Sequence, residues 1–316
     1  MTEDPNPIQV ESVTKRFGDF TAVDSVSFTV PRGEIFGILG PNGAGKTTTI
    51  RMIMNITIPD SGRVLILGRP STDGASRNVG YLPEERGLYR RMKVLEHIVF
   101  LGEIRGVEKK EAKRRAGEWL ERVKLTKWAD KRVEELSKGM QQKIQFIGCA
   151  IHDPDVLILD EPFSGLDPVN SRALKELFLE FRGRGKTVVL CTHVMEQAEK
   201  LCDEIVLINR SRVVLDGRLA EIKRRYSGNR LMIKGEGSAD ALRAIRGVHA
   251  IDAQDGALSI DLDPQLPRSE FLREASRVYA IDSATPHEAS LDEIFIRVVG
   301  ESIGEVEAAS GKEVIE

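Results

Sequence analysis

The sequence predicts an α/β domain built on a parallel sheet, with a helical insert, followed by a smaller α+β domain. Three observations carry this. The apolar run Glu34 to Leu39 ends in a Gly-rich loop that opens into a helical segment. Val156-Leu157-Ile158-Leu159 is a near-continuous apolar run, the pattern of a strand buried on both faces of a parallel sheet. Finally, the breaker cluster Ser227-Gly228-Asn229 separates this region from a stretch that alternates strand and helix patterns once more.

Taken in order, Ile8–Val13 and Val26–Val30 alternate as partly buried strands do, and Glu34–Leu39 reads as a buried strand. Thr47–Asn55 follows as a helix and Val64–Leu67 as a strand. From about 90 to 150 the pattern turns helical: Lys93–Arg105, Lys109–Lys124 and Gln141–His152 carry apolar residues at helical spacing. Strands return at Val156–Leu159 and Thr187–Cys191, and Ile205–Asn209 with Val213–Leu215 forms a closing hairpin.

These elements place the first domain at residues 1–222, an accessory α+β domain at 223–300 and an acidic flexible tail at 301–316. In the accessory domain the expected order is strand Leu231–Lys234, helix Ala239–Arg246, strands on either side of Asp255-Gly256, helix Arg268–Arg277, strand Val278–Ile281 and helix Leu291–Val299. That order resembles a ferredoxin-like domain. Ser290 and Glu293 have the spacing of a capping box for the last helix.

Composition narrows the classes. A hydrophobic content of 41% supports a sizeable core, and a formal net charge of −3 provides no basic field for nucleic acid. Cys149, Cys191 and Cys202 have neither metal-ligand nor Cys-x-x-Cys spacing, as expected in a reducing, cytoplasmic compartment. The first residues lack the apolar core of a signal peptide, and no run approaches the ~20 apolar residues needed to span a bilayer. In a membrane process, another chain would supply the channel.

The chemistry concentrates in two places. Gly40-Pro41-Asn42-Gly43-Ala44-Gly45-Lys46-Thr47-Thr48 fits the phosphate-binding P-loop, and it lies where that loop must lie, after a strand and before a helix. Its glycines allow successive N–H groups to converge on phosphate oxygens, and the helix N-terminus adds positive partial charge. Lys46 can reach the β and γ phosphates of ATP, and the Thr47 hydroxyl can ligand Mg2+. The second place is the end of Val156–Leu159, where Asp160 and Glu161 follow. Unpaired carboxylates are costly inside a strand, so their place at its C-terminal end points to a site. There Asp160 would hold Mg2+ through water, and Glu161 would orient and deprotonate the attacking water. His193 follows the run Thr187–Cys191 and also lies at a strand end, within reach of a γ phosphate.

With these motifs in place, residues 8 to about 222 resemble an ATP-binding cassette (ABC) ATPase. The resemblance implies an ABC-type P-loop fold with a helical subdomain. It matches Gly40–Thr48 to Walker A, Leu136-Ser137-Lys138-Gly139-Met140-Gln141 to the signature loop, and Val156–Glu161 to Walker B. It matches Ser164-Gly165-Leu166-Asp167 to the D-loop and His193 to the switch histidine. Phe17 stands where an aromatic stacks on adenine, and Val23 where a residue packs near the ribose. ATP contacts are thereby expected from Phe17, Val23, Asn42, Gly43, Ala44, Gly45, Lys46, Thr47, Thr48, Ser137, Gly139 and Asp167.

The resemblance further implies a head-to-tail dimer, of this chain or with a related cassette, in which Ser137 and Gly139 of one subunit contact the γ phosphate bound by Lys46 of the other. Two positions depart from the usual pattern. Lys138 and Met140 stand where many relatives carry Gly and Gln, and Glu84 stands where most have Gln. Glu84 keeps oxygen ligands for Mg2+, loses the amide donor and adds a charge, and it joins Lys46, Glu161 and His193 in the expected catalytic set.

The segment Pro83–Tyr89, the signature loop and the C-terminal appendage together are similar to the ATPase subunits of sodium-efflux and drug exporters. Such subunits pair with a separately encoded membrane permease and work on the inner face of the cell membrane. The competing reading is a soluble, non-transport ABC ATPase with a regulatory role or one on ribosomes or nucleic acid. Ribosome-associated relatives usually carry two cassettes, whereas this chain has one phosphate loop. DNA-repair relatives insert long coiled coils between Walker A and the signature, and Lys46 and Ser137 are too close in sequence for that. Leu231–Lys234 and Leu258–Leu262 lack the aromatics of an RNA-stacking sheet.

Overall fold

The computed structural model describes residues 6–74, 78–85, 87–254 and 256–310. Arg86, in the Pro83–Tyr89 segment, and Asp255, in the expected Asp-Gly turn, lie outside the described residues. The chain divides into two units, Met1–Arg218 and Leu219–Glu316.

The first unit opens with β1 (Ile8–Phe17), β2 (Phe20–Val30), β3 (Ile35–Leu39), α1 (Lys46–Ile53), β4 (Ser61–Ile66), β5 (Arg69–Pro70) and β6 (Val79–Leu82). The helical insert is α2 (Val94–Ile104), α3 (Lys109–Arg122) and α4 (Lys138–Ala150). The unit closes with β7 (Val156–Asp160), α5 (Pro168–Gly183), β8 (Thr187–Thr192), α6 (Met195–Glu199), β9 (Glu204–Asn209) and β10 (Arg212–Arg218).

Two sheets result. One is antiparallel in the order β2-β1-β4-β5, and the other runs β10-β9-β3-β8-β7-β6. In the second, β9, β3, β8, β7 and β6 are parallel neighbours and β10 closes the edge antiparallel to β9. The all-buried strands β3, β7 and β8 are the apolar runs seen in the sequence. Phe36, Ile38, Ile158 and Val189 from this sheet join Val10, Phe28 and Ile50 in one core. Each such side chain contributes about 1.5–3 kcal/mol by leaving water.

Register then places the chemistry. Leu39 pairs with Thr192 in the parallel ladder of β3 and β8, and Asp160 pairs with Cys191 in that of β7 and β8. The loops leaving all three strands therefore emerge side by side at the C-terminal edge of the sheet, where open α/β sheets place their ligands. The helix expected from Gln141 begins earlier, at Lys138, because Ser137 caps it: its Oγ accepts the Met140 N–H at 3.4 Å.

The second unit holds α7 (Leu219–Ser227), β11 (Arg230–Gly237), α8 (Ala239–Arg243), β12 (Val248–Gln254), β13 (Ala257–Leu262), α9 (Arg268–Ala275), β14 (Tyr279–Pro286) and α10 (Leu291–Ser310). Its antiparallel sheet has the order β12-β13-β11-β14, which is the ferredoxin-like arrangement of a β-α-β-β-α-β chain. Leu231, Ile233, Ile260 and Phe271 centre its own core. The capping box forms as expected: Ser290 N–H donates to Glu293 Oε2 at 2.9 Å, and Glu293 N–H to Ser290 Oγ at 3.2 Å.

Two expectations need adjusting. The division falls before Leu219, ahead of the expected 222/223, because α7 ties into the second unit: Ala289 N–H donates to Ser227 Oγ at 2.9 Å. The acidic tail expected from 301 is helical as far as Ser310, as a continuation of α10. Its Glu and Ala residues favour helix enough to carry the element on.

Candidate functional site

The phosphate loop joins β3 to α1 in a shape that requires glycine. At Gly40, φ is +148° and a Cβ would lie 2.0 Å from the Ile208 carbonyl oxygen. At Gly45, φ is +106° and a Cβ would lie 2.4 Å from the Ala22 carbonyl oxygen. Any side chain at either position collides with backbone, so the loop can take its path only with glycines there. Lys46, 6% exposed, donates from Nζ to the Gly40 carbonyl at 2.8 Å and the Pro41 carbonyl at 3.1 Å. Its ammonium is thus held against the loop. A cavity of about 400 Å3 opens here, lined by Asn42, Gly43, Gly45, Lys46, Thr47 and Thr48 of the loop, with Phe20, Ala22, Glu84 and Glu161 completing the wall. Ala44 is buried beneath the loop.

Asp160 ends β7 and is 1% exposed, yet neither carboxylate oxygen has a well-formed hydrogen bond among the described residues. Burial pushes its carboxyl above the ordinary range, the nearby Glu84 and Glu161 carboxylates add to that, and the Cys191 and Thr47 side chains act against it. A buried carboxylate so weakly bonded is costly, and a hard cation would supply what it lacks. No group of three or more His, Cys, Asp or Glu among the described residues could hold a metal. Asp160, the Thr47 hydroxyl and Glu84 instead suit a cation that takes its remaining ligands from phosphate and water.

Glu161 has the opposite character, with each oxygen engaged. Oε2 accepts from the Thr192 hydroxyl at 3.1 Å, and Oε1 accepts the His193 backbone N–H at 2.9 Å and lies 2.6 Å from His193 Nδ1. Its backbone is left-handed, at φ +47°, a conformation that costs a side-chain-bearing residue about 1–2 kcal/mol. The structure therefore brings together the loop residues, Asp160, Glu161, His193 and Glu84.

Other expected contacts are not among the residues that line this cavity. Phe17 is 54% exposed at the end of β1, with the Lys15 ammonium 5.6 Å from its ring centroid. Its cross-strand partner Phe20, 61% exposed, is the aromatic that lines the cavity. Val23 is 1% exposed and belongs to the core; Ala22 occupies the wall instead. Ser137, Gly139 and Asp167 do not line this cavity. Ser137 caps α4, and Asp167 caps α5 by accepting the Val169 and Asn170 N–H groups at 3.0 Å each. Those bonds, with one from the Asn170 side chain, hold the Asp167 carboxyl below its ordinary pKa.

The family profile described as ABC transporter matches residues 23–164. An uncharacterised ABC transporter ATP-binding protein of Bacillus subtilis, YhaQ, is 40% identical over 293 residues, covering 93% of this chain and 98% of the relative. The chain belongs to the ATP-binding proteins of ABC transporters. A second profile, the C-terminal domain of DrrA1-3-like ATP-binding proteins, matches residues 217–299 of this ABC subunit. The Nod factor export ATP-binding protein I of Paraburkholderia xenovorans is 34% identical, with 93% of this chain and 97% of the relative covered. A solved ATP-binding subunit of an ABC transporter superposes with a TM-score of 0.65 at 32% identity, over 69% of this chain and 92% of that one.

As an ABC subunit the chain binds and hydrolyses ATP, and the cavity above the phosphate loop lies at the expected strand ends. Sequence reasoning missed Phe20, Ala22 and Thr192. The apolar run through β8 carried a signal for the last, since a threonine at its end, beside the acid at the end of β7, is placed to donate to it. None of the helices among the described residues is long and apolar enough to cross a membrane.

Proposed function

We propose that this ABC subunit hydrolyses Mg2+-ATP in sites shared between two cassettes and thereby drives a separately encoded membrane permease that exports its substrate. The observation that carries the reading is the contrast between the two acids at the C-terminal end of β7: neither oxygen of the buried Asp160 has a well-formed hydrogen bond among the described residues, whereas Glu161 is held at both oxygens. The first calls for a cation and the second is fixed for proton transfer.

In this reading Lys46 and the loop N–H groups hold the β and γ phosphates. Thr47, Asp160 and Glu84 would hold Mg2+, which would neutralise phosphate charge when bound. Glu161 takes the proton of the attacking water at a carboxylate oxygen, and the Thr192 hydroxyl and His193 backbone N–H keep that carboxylate oriented. In the same reading His193 contacts the γ phosphate. Phe17 and Phe20 flank the adenine end. Ser137 and Gly139, which stand outside the cavity of their own subunit, complete the site of a second copy or a related cassette, with Asp167 beside them.

The permease contact is assigned to the groove between β6, α2 and α4. A cavity of about 220 Å3 there is lined by Tyr81, Leu88, Leu101, Ile104, Arg105 and Gly148, and Ile104 is exposed. A short apolar helix of the membrane partner fits such a surface. The subunit would then act from the cytoplasmic face of the membrane as a peripheral protein. The export direction rests on relatives such as the Nod factor export protein. Co-purification with a membrane subunit and ATP-driven movement of substrate out of the compartment holding the cassettes would test it. ATPase activity that no membrane partner alters would overturn the coupling.

A further inference from the structure

Gln145 lies within α4 and is 6% exposed. Its Nε2 donates to the Pro83 carbonyl at 3.3 Å and to the Glu85 carbonyl at 3.4 Å. Those two carbonyls flank Glu84, whose side chain lines the cavity over the phosphate loop. Gln145 itself lines the other cavity, the groove between β6, α2 and α4. One amide is thus part of the groove wall and grips the chain on both sides of a residue of the phosphate site.

Packing alone does not call for an amide here. Oε1 of Gln145 is buried and has no hydrogen-bond partner among the described residues, a deficit of about 1–3 kcal/mol. A methionine would fill similar space without it. Turning the amide over would set its oxygen against two carbonyl oxygens, so its orientation is fixed. What the glutamine provides is the pair of bonds to Pro83 and Glu85. These residues follow the end of β6 and belong to no helix or strand, so bonds of this kind hold them in place. The same face of α4 carries two more such ties at helical spacing. Gln142 Nε2 donates to the Pro162 carbonyl, next after Glu161, at 3.0 Å, and Cys149 Sγ lies 3.0 Å from the Tyr81 carbonyl. α4 is therefore a backing for the segment that carries Glu84.

Resting on the site reading above, we propose that Gln145 is a positioning residue for the metal: by clamping the carbonyls on either side of Glu84, it sets where that carboxylate meets Mg2+. The groove and the metal ligand are then one side chain apart.

A double-mutant cycle on the full chain tests this. Binding of a non-hydrolysable ATP analogue is measured by calorimetry in excess Mg2+ and again in EDTA, for the wild type, Gln145→Met, Glu84→Ala and the double variant. Gln145→Met weakens binding in Mg2+ about tenfold, the lower end of what an orienting partner contributes to a metal site, and leaves binding in EDTA within about twofold of wild type. In the Glu84→Ala background the Met substitution changes neither value further. Should Gln145→Met melt abnormally, Gln145→Glu takes its place, since it keeps the shape and loses the amide donor. Equal weakening with and without Mg2+, no weakening, or the full effect persisting in the Glu84→Ala background overturns the positioning role. A wild-type chain whose binding Mg2+ does not strengthen, or a Glu84→Ala variant as tight as wild type in Mg2+, would instead overturn the underlying site reading.

Discussion

Glu161 Oε1 lies 2.6 Å from His193 Nδ1 and also accepts the His193 backbone N–H at 2.9 Å. The carboxylate at the end of β7 and the residue after β8 are therefore one unit, fixed by the parallel register that sets Asp160 beside Cys191. Glu161→Gln keeps the shape and most of the hydrogen bonding but cannot accept a proton. Its turnover falls about 10²–10⁴-fold, the range of a lost general base, while ATP binding persists. His193→Ala removes the ring and leaves both the backbone N–H and the Thr192 hydroxyl on Glu161, so its turnover falls less. Phosphate release measured beside nucleotide binding checks both. Near-normal turnover in Glu161→Gln would remove Glu161 from the base role.

Asp160 offers the opposite trade. Its carboxyl is buried and neither oxygen has a well-formed hydrogen bond among the described residues, and an amide costs less to bury than a carboxylate. Asp160→Asn raises the melting temperature in chelator, by a stability gain on the order of 1 kcal/mol. It also loses most of the added stability that Mg2+-ATP gives the wild type, together with turnover. A lower metal-free melting temperature in the variant would sink this account.

His97 sets an acid limit on stability. It is fully buried on α2, both ring nitrogens lack hydrogen-bond partners among the described residues, and its ring packs edge-on against Tyr89 with centroids 5.8 Å apart. Burial lowers its pKa from 6.5 to about 4, so the folded state binds its proton less readily than the unfolded chain. Its stability contribution is complete above 6.5 and is lost as pH falls from there towards 4. The loss in that window is about 1.4 kcal/mol per pH unit for one such group. His97→Leu makes the decline between pH 6.5 and 5 shallower by about that amount, read from denaturant unfolding at several pH values. An unchanged slope would show that His97 does not control it.

How far the sequence disclosed these features depended on whether they were local. The phosphate loop, the acids after Val156–Leu159 and the capping box at Ser290 are short-range patterns whose geometry follows from neighbouring residues. Phe17 and Val23 came instead from the resemblance to the cassette family, and which residues of the β1–β2 hairpin line the cavity depends on the register of its ladder. That ladder slips between Val10 and Val13, between Val13 and Lys15, and between Lys15 and Arg16. Each slip shifts which residues share a face, so Phe20 and Ala22 line the cavity. The bonds from Gln145 to the Pro83 and Glu85 carbonyls join α4 to the segment after β6, and no local spacing encodes them. The left-handed backbone of Glu161 is likewise imposed by its surroundings.

The division before Leu219 makes a prediction about cutting the chain. A cut after Asn229, at the breaker cluster, leaves α7 attached to the first unit and separates it from its partners. Leu219 and Ile222 of α7 are buried, the Arg297 guanidinium lies 5.6 Å from the Tyr226 ring centroid, and Lys223 pairs with Glu288 at 3.3 Å. Both of those side-chain pairs lie within the second unit, where α7 also packs against α10. A chain ending at Asn229 therefore exposes an apolar helix face, whereas one ending at Arg218 keeps β10 paired to β9 and exposes none of α7. The shorter chain is expected to be monodisperse, to melt cooperatively and to bind ATP; the longer one aggregates on heating. Size-exclusion chromatography and thermal melting of the two truncations decide it. If the chain ending at Asn229 behaves better, α7 belongs energetically to the first unit.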